Sequence, residues 1–181
     1  GGQFEAPFGV FGPPSMFSVP IVHYMKRYGL TEEQLAAVSV STRQWASLNP
    51  RALMRDPITI ADVLNSRLIA WPLHLLNCCL VTDGGGALVL VSEERAKDFP
   101  KPPVWVLGRG ESVQHTNISQ MWDYSEWTAA AKITGPEAFR MADMDHSAID
   151  HLMLYDAFSH TPIYALAALG FVGAGEAGPW F

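Results

Sequence analysis

The chain has 181 residues, 49% of them hydrophobic, so it is long enough and apolar enough to bury the core of one ordinary domain. Its 12 Lys and Arg against 18 Asp and Glu leave a net charge of -6, which argues against a nucleic-acid-binding module, because such modules cluster cations to displace counterions. The longest apolar stretches reach roughly half the twenty residues that a membrane-crossing helix takes, so we expect no membrane partner.

The ends of the chain indicate whether it is truncated, and its cysteines indicate the redox compartment. The opening Gly1-Gly2-Gln3-Phe4 has neither a basic segment nor an apolar run, so we expect that it is not a signal peptide, and residues 178–181 stop in a glycine-containing turn. We expect both ends to be truncated. Cys78 and Cys79 are adjacent and poorly placed to bridge each other or to form a zinc site, which favours a reducing cytoplasm.

The first half of the chain predicts loops followed by helices. After several prolines, residues 18–28 predict a helix that ends at Gly29. Thr31 and Gln34 form a capping box for a second helix. Residues 58–64 fit either a strand or a short helix, and we interpret them as helical.

The second half alternates apolar runs with helical patterns. Three runs predict strands, at residues 87–91, 104–108 and 151–154, and the first two read as buried on both faces. The predicted helices are a short one over 92–99, one that starts at Thr134 with Pro136 in its first turn, and one that ends at Gly170. This order predicts a layered α/β architecture.

Two motifs suggest chemistry but have better structural explanations. Asp83-Gly84-Gly85-Gly86 could cradle a phosphate, yet it lacks the Lys and Ser/Thr of a P-loop and leads into a strand, which favours a simple turn. Cys78 or Cys79 could be a nucleophile, but thiol activation needs a histidine, a cation or a helix N-terminus. Only His74 lies nearby, so we favour a pair of small core residues.

Polar side chains gather directly after the last predicted strand, namely Tyr155, Asp156, Ser159 and His160. Open α/β sheets bind ligands at such strand ends, and a phenol can donate to an enolate oxygen or relay a proton. A packed tyrosine beside a helix start is the alternative on the residues alone. His115 lies in the polar segment 109–125, which would line a cleft or form a surface loop.

Several stretches together resemble the thiolase superfamily. Residues 79–90, from Cys79 through Asp83-Gly84-Gly85-Gly86 to Leu90, look like the signature at the start of one of its strands. Thr134-Gly135-Pro136-Glu137-Ala138 resembles its next helix. Residues 149–159 resemble the strand that carries its Asn-Glu-Ala-Phe or His-Asp-Cys-Phe motif, and residues 168–171 and 175–178 resemble the tail of that segment in the sterol-carrier thiolases.

The resemblance implies an α/β, thiolase-like layered fold that is present only in part. Residues 1–75 would be a loop domain and connection, and residues 76–181 a partial thiolase core that spans the end of the N-terminal half and the start of the C-terminal half. A thiolase's nucleophilic cysteine would lie before this region, and its remaining motifs would lie after it.

The first residue of the Tyr-Asp-Ala-Phe motif, Tyr155, bears on the reaction that the resemblance implies. Tyr155 stands where a condensing thiolase has the Asn or His of its oxyanion site, and Tyr-Asp-Ala-Phe looks like the lipid-transfer-protein aldolases. That branch cleaves the side chain of steroid coenzyme A (CoA) esters by a retro-aldol step. The resemblance implies that Tyr155 is a catalytic acid/base residue, and we keep as supporting candidates Asp156, Ser159, His160 and His115.

The same resemblance implies an acyl-CoA substrate, with CoA as part of that substrate, no covalently bound cofactor and no metal. It also implies a homodimer and a small OB-fold partner protein. Two alternatives stay open: an acyl-CoA acetyltransferase of the sterol-carrier type, which a reactive upstream cysteine would indicate, and a non-catalytic lipid or acyl-CoA binding protein.

Overall fold

The computed structural model describes residues 3–114 and 128–181. Within these ranges the α-helices are α1 (Pro13–Tyr28), α2 (Glu32–Ser47), α3 (Ile60–Asn65), α4 (Glu93–Ala96), α5 (Ala129–Ala142), α6 (His160–Ala168) and α7 (Ala177–Trp180). Short 3-10 turns occupy Ala6–Phe8, Leu75–Asn77 and His146–Ala148. Strands β1 (Leu68–Ala70) and β2 (Leu73–His74) form an antiparallel hairpin. No helix in the described ranges is both long and apolar enough to cross a membrane.

Local sequence signals set several helix boundaries as predicted. The Thr31 hydroxyl accepts from the Gln34 amide over 3.3 Å, and the Gln34 side chain accepts from the Thr31 amide over 3.0 Å, so the capping box before α2 is confirmed. Gly29 ends α1 in the left-handed region, at a φ of 72°. The helical interpretation of residues 58–64 is also confirmed, because α3 occupies Ile60–Asn65.

Two predicted helix starts are wrong. Helix α1 begins at Pro13, well before the predicted residue 18, because proline is well tolerated in a first turn, where its missing N–H has no helical partner. Helix α5 begins at Ala129, so Pro136 lies inside the helix and Thr134 is not its cap. The alanines at 129–131 favour helix strongly and extend it in the N-terminal direction.

The three predicted strands do not join a sheet in the described part of the chain. Residues 87–91, 104–108 and 151–154 form no ladder, and the first two are largely exposed, with Val89 at 81% and Val104 at 95%. An apolar run becomes a buried strand only when neighbouring strands satisfy its N–H and C=O groups. The residues described here provide no such neighbours.

The core lies between helices that are distant in sequence. Ile21 from α1, Leu35 from α2 and Ile163 from α6 are buried together, and the ring centroids of Tyr24 and Tyr164 are 4.9 Å apart. Burying one aliphatic side chain of this size contributes about 1.5–3 kcal/mol. Residues from both 1–75 and 76–181 share this core, and the boundary between the two units at residue 75 stays a prediction.

Candidate functional site

Two backbone segments meet beside α2 and hold the cysteine pair and Ser159, which the sequence singled out. Residues 77–79 run antiparallel to residues 157–159, and the Cys79 amide donates to the Ala157 carbonyl over 2.9 Å. The pairing continues where the Ser159 amide donates to a carbonyl of the first segment. The residues that follow the predicted strand at 151–154 therefore lie against the cysteine pair.

A buried polar network joins these segments to α2. Asn77 and Ser159 are each only 4% exposed, and the Asn77 Nδ2 donates to the Ser159 Oγ over 3.0 Å. The Ser159 Oγ is also 2.8 Å from the Ser39 Oγ of α2. The Asn77 Oδ1 accepts from the His74 amide over 2.9 Å. The side chains of Asn77 and Ser159 thus have the hydrogen-bond partners that buried polar groups require.

A cavity of about 290 Å³ opens beside this network. One wall is a face of α2, whose residues recur at helical spacing: Val38, Ser39, Thr42, Arg43 and Ala46. The guanidinium of Arg43 donates to the Asp56 carbonyl over 2.8 Å. Leu53, Met54 and Ile58 add apolar surface. A mainly apolar cavity with a few polar groups and one cation has the composition of a small-molecule site.

Tyr155 lies at the surface, next in sequence to the cavity-lining Asp156. Its side chain is 79% exposed, and among the described residues no hydrogen bond holds the phenol. Its carbonyl accepts from the Thr161 Oγ1 over 2.6 Å, which fixes the backbone. The ring itself is not part of the cavity wall, whereas the adjacent Asp156 is. Tyr155 thus directly precedes a cavity-lining residue in the sequence, and among the described residues its side chain is not packed inside the protein.

The other candidates separate into different environments. Asp156 and Ser159 both line the cavity, so the structure brings them together. His160 is 0% exposed, with its ring centroid 5.1 Å from that of Phe17 and 5.0 Å from that of Tyr164. Burial lowers the pKa of His160 to about 3, so its imidazole is neutral inside the core. His115 lies outside the described residues.

The cysteine pair has one inward and one outward member. Burial, with the neighbouring Cys79, raises the pKa of the half-buried Cys78 to about 11, so Cys78 is a thiol at neutral pH. Cys79 is exposed, so the prediction of a pair of core residues is wrong for Cys79, and both cysteines line the cavity. The Cys78 Sγ contacts the His74 carbonyl at 3.4 Å, while the imidazole of His74 lies 2.7 Å from the Ser66 carbonyl. This supports a structural role for Cys78.

Sequence reasoning missed the residues of α2 and the amide at the centre of the network. Ser39, Thr42 and Arg43 stand on one helix face, and their i, i+3 and i+4 spacing was the available signal. Asn77 interrupts the apolar stretch 73–80, and a lone amide in such a stretch indicates a buried hydrogen-bonding role. Neither signal identifies the partner, which is far away in sequence.

The C-terminal part of the chain matches a known family. Residues 110–181 match the family described as thiolase C-terminal domain-like. The solved structure of the Ltp2-ChsH2(DUF35) aldolase aligns with 99% of this chain at a TM-score of 0.86 and 35% identity, and the match covers 48% of that structure's chain. Residues 110–181 therefore belong to this thiolase family, and the prediction of a partial α/β, thiolase-like layered fold is confirmed.

Within the superfamily the chain is similar to a lyase and to a transferase. It is 38% identical over 175 residues to the steroid side-chain-cleaving aldolase of Thermomonospora curvata, in a match that covers 94% of this chain and 45% of the aldolase. It is 35% identical over 179 residues to the acetyl-CoA acetyltransferase of Methanothermobacter thermautotrophicus. That match covers 99% of this chain and 46% of the acetyltransferase. The chain therefore spans about half the length of the relatives it matches.

Proposed function

We propose that this chain supplies the tyrosine-bearing part of a carbon–carbon lyase that cleaves a β-hydroxyacyl-CoA thioester, with a steroid side chain as the acyl class. The observation that carries the proposal is Tyr155, an exposed phenol on the residue that precedes the cavity-lining Asp156. The similarity to a steroid side-chain-cleaving aldolase over 94% of the chain supports the reaction type and the acyl class.

The proposed reaction needs only proton transfers from the protein. A base takes the proton of the β-hydroxyl, the bond between Cα and Cβ breaks, and Cβ becomes the carbonyl of a released ketone. The electron pair of the broken bond passes to the thioester enolate, and a donor returns one proton to Cα to give a shorter acyl-CoA. A phenolic O–H both donates and accepts, so Tyr155 suits either proton transfer.

The cavity suits the chain that links a thioester to the rest of CoA. Thr42 and Arg43 offer donors to amide or phosphate oxygens, and Leu53 and Met54 offer apolar contact. We further propose a homodimer and an OB-fold partner protein for the whole protein, in line with a two-component name such as Ltp2-ChsH2(DUF35) aldolase. The cytoplasm remains the proposed location, because both cysteines are free thiols.

The direct test is Tyr155→Phe in the whole protein with any partner present. We expect cleavage of a steroid β-hydroxyacyl-CoA ester, measured as ketone and shortened acyl-CoA by mass spectrometry, to be lost while circular dichroism stays unchanged. Tyr28→Phe is the matched control, because Tyr28 packs on Tyr24 with ring centroids 4.6 Å apart and does not line the cavity. Unchanged turnover in Tyr155→Phe would contradict the assignment.

An acyl-CoA acetyltransferase is the second candidate, favoured by the 35% identity to an acetyl-CoA acetyltransferase. Product stoichiometry separates the two. A lyase converts one acyl-CoA into one ketone and one shorter acyl-CoA, whereas thiolysis consumes a free CoA for each turnover. Binding of the acyl-CoA with neither outcome would indicate a non-catalytic binding protein.

A further inference from the structure

We propose that Asn77 and Ser159 are positioning residues that fix Tyr155 relative to the cavity, an inference that rests on the proposed function. The two side chains are buried and hydrogen-bonded to each other over 3.0 Å. Neither is proposed to touch the reacting atoms. Their effect is to hold the backbone from which the phenol projects.

The phenol depends on its backbone for its position. Among the described residues no hydrogen bond holds the Tyr155 side chain, and it is 79% exposed. Its location is therefore set by the chain on either side. On the C-terminal side the Thr161 Oγ1 donates to the Tyr155 carbonyl over 2.6 Å and also to the Phe158 carbonyl over 2.8 Å.

The remaining constraint comes from residues 77–79. The Ser159 amide donates to the Asn77 carbonyl over 3.0 Å, and the Asn77 Nδ2 returns a hydrogen bond to the Ser159 Oγ. The two residues thus bond through both backbone and side chains, which fixes their separation and their relative rotation. Asn suits this position because its side chain both accepts and donates. The Asn77 Oδ1 accepts from the backbone N–H of His74, and the Asn77 Nδ2 donates to the Ser159 Oγ.

The same hydroxyl ties the tyrosine segment to the cavity wall. The Ser159 Oγ lies 2.8 Å from the Ser39 Oγ of α2, and both serines line the cavity together with Asn77. A shift of Ser159 would therefore move the tyrosine segment relative to a ligand held by α2. Misplacement by about 1 Å can lower a rate by about a hundredfold without loss of binding.

The kinetic test uses Ser159→Ala and Asn77→Ala in the whole protein, with the CoA ester used for Tyr155→Phe. We expect kcat to fall by about tenfold or more while KM changes by less than about threefold, because orientation is lost and binding is kept. Ser18→Ala is the matched control, since its hydroxyl also donates to a nearby carbonyl, at 2.8 Å, and does not touch this network. Unchanged kcat in folded Ser159→Ala overturns the inference.

A double-mutant comparison separates positioning from general damage. If Ser159 acts through Tyr155, adding Ser159→Ala to Tyr155→Phe should cause no further loss of kcat, and fully additive losses overturn the inference. Should Tyr155→Phe itself leave turnover unchanged, the proposed function fails and a second measurement decides. Amide hydrogen exchange in a peptide spanning residues 154–161 should accelerate in Ser159→Ala and Asn77→Ala but not in Ser18→Ala; equal exchange in all variants overturns the inference.

Discussion

The buried imidazole of His160 makes the stability of the protein depend on pH. His160 is 0% exposed, and burial lowers its pKa to about 3 from an ordinary value of 6.5. Above pH 6.5 the residue is neutral both in the folded and in the unfolded protein, so burial carries no ionisation cost. Below pH 6.5 the unfolded chain takes up a proton that the folded protein rejects until about pH 3, so stability falls as pH falls.

The size of this effect follows from proton linkage. Each pH unit inside the window contributes up to about 1.4 kcal/mol, and the change between pH 7 and pH 5 integrates to about 2 kcal/mol. The figure depends little on the folded pKa as long as that value stays well below 5. Hydrogen bonds lower the pKa values of three carboxyls, those of Glu33, Asp62 and Glu137, so their protonation in acid also destabilises the fold. This contribution is the same in wild-type protein and in a His160 variant, so it cancels when the two are compared.

The assay is urea unfolding of wild-type protein and His160→Phe at pH 7 and pH 5, followed by tryptophan fluorescence. Phe suits a site lined by the rings of Phe17, Phe158 and Tyr164, and His160→Gln serves as a second non-titrating variant. Wild-type protein should lose about 2 kcal/mol more than either variant between the two pH values. Equal losses would refute the claim that burial sets the protonation of His160.

Two further outcomes test the local chemistry. Iodoacetamide at pH 7 should label the exposed Cys79 well before Cys78, because burial raises the pKa of Cys78 to about 11. Mass spectrometry measures the order of labelling. In urea-unfolded protein the two cysteines should be labelled with no strong preference. Thr31→Ala should lower the free energy of unfolding by about 1 kcal/mol, because it removes the hydroxyl that accepts from the Gln34 amide. A loss near zero in urea unfolding would mean that solvent replaces the cap.

The sequence predicted those parts of the fold that depend on residues close together in the chain. It did not predict the parts that depend on contacts between distant residues. Gly29 and the pair Thr31 and Gln34 act within one helix turn, so the sequence alone locates the end of α1 and the start of α2. The runs at 87–91 and 104–108 have strand composition, but a strand exists only through hydrogen bonds to a neighbour, and the described residues pair neither run.

The candidate site shows the same division between local and distant causes. Tyr155 could be selected as a candidate from its place after an apolar run and from its motif, but of the candidates in this segment only Asp156 and Ser159 line the cavity. His160 is adjacent to Ser159 in sequence yet lies in the core, because consecutive residues at a helix start point in different directions. Ser39 meets Ser159 only because α2 packs beside α6, and no local pattern encodes that contact.

The choice between lyase and transferase depends on which group carries the chemistry. An acyl transfer through an enzyme thioester requires a thiolate, and the half-buried Cys78 has a pKa of about 11, which keeps it protonated. A retro-aldol cleavage requires no covalent intermediate of the acyl group, only a group that gives or takes a proton beside the bound thioester. In the lyase that we propose, the exposed phenol of Tyr155 would be that group, on a backbone held by hydrogen bonds from Thr161 and Ser159. The protonated Cys78 therefore argues against thiol chemistry at that residue, and a thiolate elsewhere in the whole protein would favour the transferase.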